Sequence, residues 1–257
     1  MNGEIVTTLL RNCGPTLKLA ITIMSVAIVG TYVGALIIDG PTLDRLNLED
    51  GLIENVGAFF FLVAAIGFLA VALLSAGRDP DSTGFDVRRK LVFGLLAALM
   101  FICFGEEISW GQRIFGWSTP TTISELNAQG ETNFHNLHIV HQWNRDGTEK
   151  DFVGKLVNMN RLFSVFWLAV FVLLPLAAHL SAPACKFIDA HKIPVPPMWC
   201  GALFLINYGI YKVLATIYAG TIRAPGLDEI KETNYAAIYA FLALVAVVFA
   251  LRRRSTN

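Results

Sequence analysis

The sequence predicts an all-α membrane protein, a polytopic bundle of about six transmembrane helices with a partly helical extracytoplasmic loop. Composition is the first reason. Of 257 residues, 54% are hydrophobic, 16% are charged and 18 are Phe, with a mean hydropathy of +0.55, which lies outside the usual soluble range. The second reason is a set of separated apolar windows of about 20 residues, the length that crosses about 30 Å of hydrocarbon. The third is that Lys and Arg gather in every second connection.

Taken in order, the first window covers residues 17–38. Arg11 and Lys18 stand at its start, but it is too long for a signal-peptide core and lacks a small-x-small cleavage site, so it reads as an uncleaved span. The second, 52–74, carries Glu54 and Asn55 at its leading end, and the third is 91–110. After a long polar connection come 162–180, which Pro175 should kink, then 198–219 and 235–251. Arg78, Arg88, Arg89 and Lys90 follow the second window, Lys186 and Lys192 the fourth, and Arg252, Arg253 and Arg254 the last. The positive-inside rule makes that side cytoplasmic, with both termini inside, in a bacterial inner membrane. Residues 1–257 then form a single integral membrane domain, and 116–160 are a long extracytoplasmic connection able to act as a lid.

Several function classes are excluded. Lys+Arg and Asp+Glu balance at 20 each, which leaves no basic footprint for nucleic acid. Cys13, Cys103, Cys185 and Cys200 form no Cys-x-x-Cys pair and fall within the membrane or on its cytoplasmic side, so no disulfide or zinc-ribbon framework follows. No Walker loop, dinucleotide glycine pattern or Gly-x-Ser-x-Gly elbow is present, and Ser109 has no base near it in sequence.

The chemistry points to Phe104–Phe115, Phe-Gly-Glu-Glu-Ile-Ser-Trp-Gly-Gln-Arg-Ile-Phe, where two adjacent carboxylates end an apolar run. Ionisable groups at the edge of a bilayer core are costly enough that they pair or act. At 100° per residue Glu106, Trp110 and Arg113 share one helix face, with Glu107 on the neighbouring one. Lys212, inside the fifth window, is the expected partner if Glu106 is structural. If the pair is catalytic, neighbouring carboxylates in a poorly solvated place suit general acid–base work.

The connection from Asn127 to His141 holds three of the five histidines. If it is helical from Thr132, then Glu131, His135 and His138 face one way; if it is extended, Asn127, Gln129, Glu131, Asn133 and His135 form a period-two polar ladder. Glu131, His135 and His138 are candidate ligands for a divalent metal such as zinc, although a hydrogen-bonded set of loop histidines is the commoner arrangement. Glu54 with Asn55, and Glu232 with Asn234, open predicted helices and suit capping, yet they also lie at the face of Glu106. Trp110, Trp117, Trp143 and Tyr218 read as an interfacial aromatic belt.

The Glu106-Glu107-Ile-Ser-Trp-Gly-Gln-Arg113 block with the later Asn-x-Gln-x-Glu-x-Asn-x-His run resembles a pattern in bacterial multi-pass membrane proteins of unassigned function. More loosely, the Glu-Glu pair followed by Arg is similar to CAAX-processing intramembrane glutamate proteases, although Arg113 comes six residues after Glu107 where that family has four. That likeness implies Glu106 or Glu107 as the water-activating base and His135 or His138 as the oxyanion or proton-transfer partner. The expectation is therefore a hydrolase or transferase acting on a lipid-linked or membrane-embedded substrate. Its catalytic residues would be Glu106, Glu107, His135 and His138, with Glu54, Asn55, Arg113, Gln129, Asn133 and Lys212 around the substrate. The alternative is a non-catalytic subunit that docks another membrane protein, or a path for protons or a small solute.

Overall fold

The computed structural model describes residues 14–47, 51–74, 83–141, 144–146, 148, 150–191 and 193–255. Cys13, Arg78, Trp143 and Lys192 lie outside the described residues. Long apolar runs become helices because, away from water, each backbone N–H and C=O must be bonded within its own segment. In order, the helices are α1 (Pro15–Ile37), α2 (Gly40–Leu46), α3 (Leu52–Leu74), α4 (Thr83–Glu107), α5 (Gln112–Phe115), α6 (Thr121–Ser124), α7 (Phe152–Leu156), α8 (Met159–Leu180), α9 (Ala182–His191), α10 (Met198–Ile217) and α11 (Arg223–Ser255). No strand occurs among the described residues.

Five of these helices, α1, α3, α8, α10 and α11, are long and apolar enough to cross a membrane, so the chain is an all-α polytopic helix bundle. The third predicted span is α4, whose 25 residues carry Arg89 and Lys90 near one end and Glu106 and Glu107 at the other, and it is not among those five. It nevertheless packs along α3. Phe93 meets Phe68 with ring centroids 5.9 Å apart, and Glu107 interacts electrostatically with Glu54. Those two pairs keep one antiparallel register, so α4 runs the full depth of α3.

The helix α11 is central, packing along α3 and α10 and touching α1. Its register with α3 is set by small residues. A Cβ on Gly57 would come 3.3 Å from Thr233 Oγ1, and one on Gly67 would come 2.8 Å from Ala243 Cβ. Between lipid-solvated helices such close backbone approach replaces the hydrophobic driving force available in water. The start of α11 at Arg223, not 235, corrects the predicted boundary: Asp228, Glu229, Lys231, Glu232 and Asn234 sit on helix rather than on a connection.

Pro175 does not break α8. The preceding stretch Leu168–Leu173 is π-helical, which absorbs the missing N–H. The opposing Gly201 lets α10 approach so closely that a Cβ there would lie 2.2 Å from the Phe171 carbonyl oxygen. Trp167 and Phe171 then stack on Phe204 at 5.5 and 5.1 Å.

Candidate functional site

The block at the end of α4 changes direction within a few residues. After Glu107, Ser109 (φ 44°), Trp110 (φ 54°) and Gly111 (φ 79°) occupy left-handed backbone, and α5 begins at Gln112. Only Gly adopts that region freely; each of the two L-residues costs about 1 kcal/mol. The cost is offset by side-chain bonds. The Trp110 ring folds back onto Gly105, where a Cβ would come within 2.8 Å, and its indole Nε1 donates to Glu106 Oε1 at 2.6 Å. The predicted common face of Glu106 and Trp110 is thus realised as a hydrogen bond, although the helix does not continue through it.

Glu106 anchors the long polar loop. Its Oε2 accepts from the backbone N–H of Phe134 at 2.6 Å and of His135 at 2.8 Å, with His135 Nδ1 at 3.3 Å. Charge-assisted bonds to backbone donors are the strong kind. One turn on, Ser109 Oγ donates to Glu131 Oε2 at 2.5 Å, and Asn133 Nδ2 donates to both at 3.2 Å. Gln112 Oε1 accepts from Thr132 N and Thr119 Oγ1, each at 2.8 Å.

The loop takes neither of the expected forms. Residues 126–138 make turns around one isolated bridge, Asn127 to Leu137, with no helix and no ladder. Ala128 N bonds Asn136 O at 2.8 Å and His138 N bonds Leu126 O at 2.9 Å, while Gly130 takes φ 74°. Asn127, Glu131 and Asn133, all on the predicted period-two set, do point inward and are buried, with Asn127 Nδ2 donating to Asn133 Oδ1 at 2.8 Å. Gln129 belongs to the same set but lies on the surface, where its side chain accepts from Asn136.

Other candidate residues separate. His138 does not reach Glu106 or Glu131: its Nδ1 is buried without a partner among the described residues. Glu131, His135 and His138 therefore do not converge as metal ligands, and no group of three His, Cys, Asp or Glu among the described residues does. The physical reason is that Glu131 and His135 are turned to Ser109 and Glu106. Lys212 is exposed, with its ammonium over Tyr208 and Tyr211 at 5.5 and 5.8 Å, and does not meet Glu106. Asn55 Nδ2 donates to Gly51 O at 2.9 Å, a back-bond to the carbonyl four residues earlier and not an N-cap. The side chain of Arg113 lies outside the described part.

Glu107 faces the other way. Its electrostatic neighbours are Glu232 and Glu229 on α11, Glu54 on α3, and Glu106. On α11, Lys231 is buried and binds Asp228 Oδ1 at 2.9 Å and Glu232 Oε1 at 3.2 Å, with its ammonium 4.5 Å from the Tyr211 ring centroid. Deeper, the fully buried Asn207 accepts from Tyr32 Oη at 2.8 Å and Asn234 Nδ2 at 3.1 Å and donates to the Lys231 carbonyl at 2.9 Å. Sequence reasoning missed Ser109, Gln112 and Lys231. The first two have partners 22 and 20 residues away, and Lys231 was placed outside any helix.

Compared with family models, curated proteins and solved structures, the chain matches none of them. The fold and the site define the class: a multi-pass membrane helix bundle with a folded polar loop latched to one end.

Proposed function

We propose that this protein is a membrane-embedded hydrolase or group transferase acting on a lipid-linked substrate at the latched end of the bundle. Within the site, Glu107 is the acid–base residue and Glu106 is the anchor of the lid. The observation that supports this is the division of labour between adjacent carboxylates. Glu106 accepts from Trp110 and from the backbone of residues 134 and 135, whereas the electrostatic neighbours of Glu107 are Glu54, Glu229 and Glu232. Three donors commit Glu106 to holding the loop, whereas a carboxylate set among other carboxylates is suited to exchanging a proton. Ser109 is 2% exposed and donates to Glu131, so it positions the lid and does not attack substrate. In this reading the site lies on the outer face of a bacterial inner membrane, which the basic residues of the opposite end support.

The test compares lipid extracts by mass spectrometry from cells making wild-type or Glu107→Gln protein at equal membrane levels. The expected result is a change in a lipid-linked species with Glu107→Gln. Identical extracts from the two, with the variant correctly inserted, would end the catalytic reading. Glu106→Gln should instead increase protease cleavage within 116–158, which Glu107→Gln leaves unchanged.

A further inference from the structure

The short helix α7 turns its apolar side away from the chain. At about 100° per residue, Phe152, Val153, Leu156 and the C-cap residue Val157 fall within an arc of about 140°, and all four are exposed, Phe152 by 75%. The opposite side is the one that meets protein. A Cβ on Gly154 would come 2.9 Å from the Lys150 side chain, and Asp151 caps the helix by accepting from Gly154 N at 2.7 Å. Lys150 is itself buried, and its Nζ donates to the Ile139 carbonyl at 2.7 Å, which brings the 74% exposed Ile139 close to the same helix.

What covers this face follows from where it is fixed. Val157 is followed by Asn158, whose side chain caps α8 by accepting from Arg161 N at 3.2 Å, and α8 begins at Met159. Two residues reach at most about 7 Å, so the apolar face of α7 lies at the very end of a helix long and apolar enough to cross a membrane. A second tie holds the loop at that level, because Met159 N donates to the Val140 carbonyl at 3.0 Å. Leu162 and Val165 are exposed on α8 and carry apolar surface from α7 into the span. Arg161, exposed in the first turn of α8, sets a guanidinium at the depth where phosphodiester heads lie, its stem free to run along lipid. An apolar helix face at a span end, beside a cation, has the make-up of an interfacial element, which sinks about 5–10 Å into the boundary between headgroups and acyl chains.

From these observations we infer that α7, with Ile139 beside it, is a membrane-seated foot of the long loop, embedded in the phospholipid leaflet at the latched end of the bundle. The loop is then held from two sides, by Glu106 at the end of α4 and by lipid beside α8. Neither hold depends on the catalytic reading above.

The experiment uses the full chain with its native cysteines replaced by Ser and a single nitroxide on Phe152→Cys, Leu156→Cys or Ile66→Cys, the last on an exposed position of α3. Proteins that elute as wild type are reconstituted in vesicles of phosphatidylethanolamine and phosphatidylglycerol. Electron paramagnetic resonance then compares collisions with oxygen, which concentrates in hydrocarbon, and with nickel–EDDA, which stays in water. At Phe152 and Leu156 the oxygen-to-nickel ratio should stand several-fold above that of the free nitroxide in buffer and approach that at Ile66. A ratio equal to the buffer value would place α7 in water and overturn the inference. Shielding of both labels from both reagents would overturn it too, since another protein or a second copy would then cover the face.

Discussion

Tyr32 and Tyr239 are both nearly completely buried, yet their hydroxyls have opposite standing. Tyr32 donates to Asn207, the hub that joins α1, α10 and α11. Among the described residues nothing hydrogen-bonds Tyr239 Oη. Net hydrogen-bond contributions are about 0.5–1.5 kcal/mol, and deleting a buried group that lacks a partner removes a desolvation cost. Tyr32→Phe should therefore lower thermal stability in detergent by about 1 kcal/mol, and Tyr239→Phe should leave it unchanged or raise it. Equal losses in both variants would contradict this assignment of the hub. The same scale shows what a sequence conceals. Glu106 and Glu107 stood out because adjacent carboxylates at a span end are costly wherever they point. Which one is saturated depended on backbone amides 28 and 29 residues away, and on a left-handed Ser109-Trp110 pair that no local propensity favours.

The short helix α2 shows how an element too brief to stand alone is held. Seven residues fall far below the length at which an isolated helix is stable in water. Asp39 caps it through Thr42 N, and Leu43, 1% exposed, packs against Gly226 of α11. The Thr42 backbone N–H holds the Asp39 carboxyl below its ordinary range. A lowered folded-state value means that the cap's contribution is complete above the unfolded value of about 3.9 and is lost as pH falls through the lowered one. Amide exchange at Thr42, corrected for intrinsic pH dependence, should keep its protection down to about pH 4 and lose it as pH falls further in wild type. In Asp39→Asn, whose neutral side chain still caps, protection should not change over the same fall in pH. Helix positions on this scale were largely legible from hydropathy. The early start of α11 was not, because its first turns are polar: Lys231 is paired with Asp228 and Glu232 on the same helix and covered by the Tyr211 ring of α10.

Across the whole molecule, the open question that hydropathy leaves is parity, since α4 carries charges at both ends while the other five long helices satisfy the apolar criterion. Packing decides it physically. A helix aligned along α3 from the Phe68–Phe93 contact to the Glu54–Glu107 neighbourhood shares its depth, and its end charges sit where α3 meets polar connections. Six crossings place the folded loop on the same side as α2, because α3 and α4 both lie between them; five crossings without α4 would leave only α3 between them and put them on opposite sides. Asp44 on α2 and Gln129 in the loop are exposed positions. With the native cysteines replaced by Ser, a membrane-impermeant maleimide applied to intact cells should label Asp44→Cys and Gln129→Cys alike. Labelling of one from outside, with the other reacting only after permeabilisation, would mean that α4 does not cross. The carboxylates of α3, α4 and α11 would then lack the common depth on which the proposed site depends.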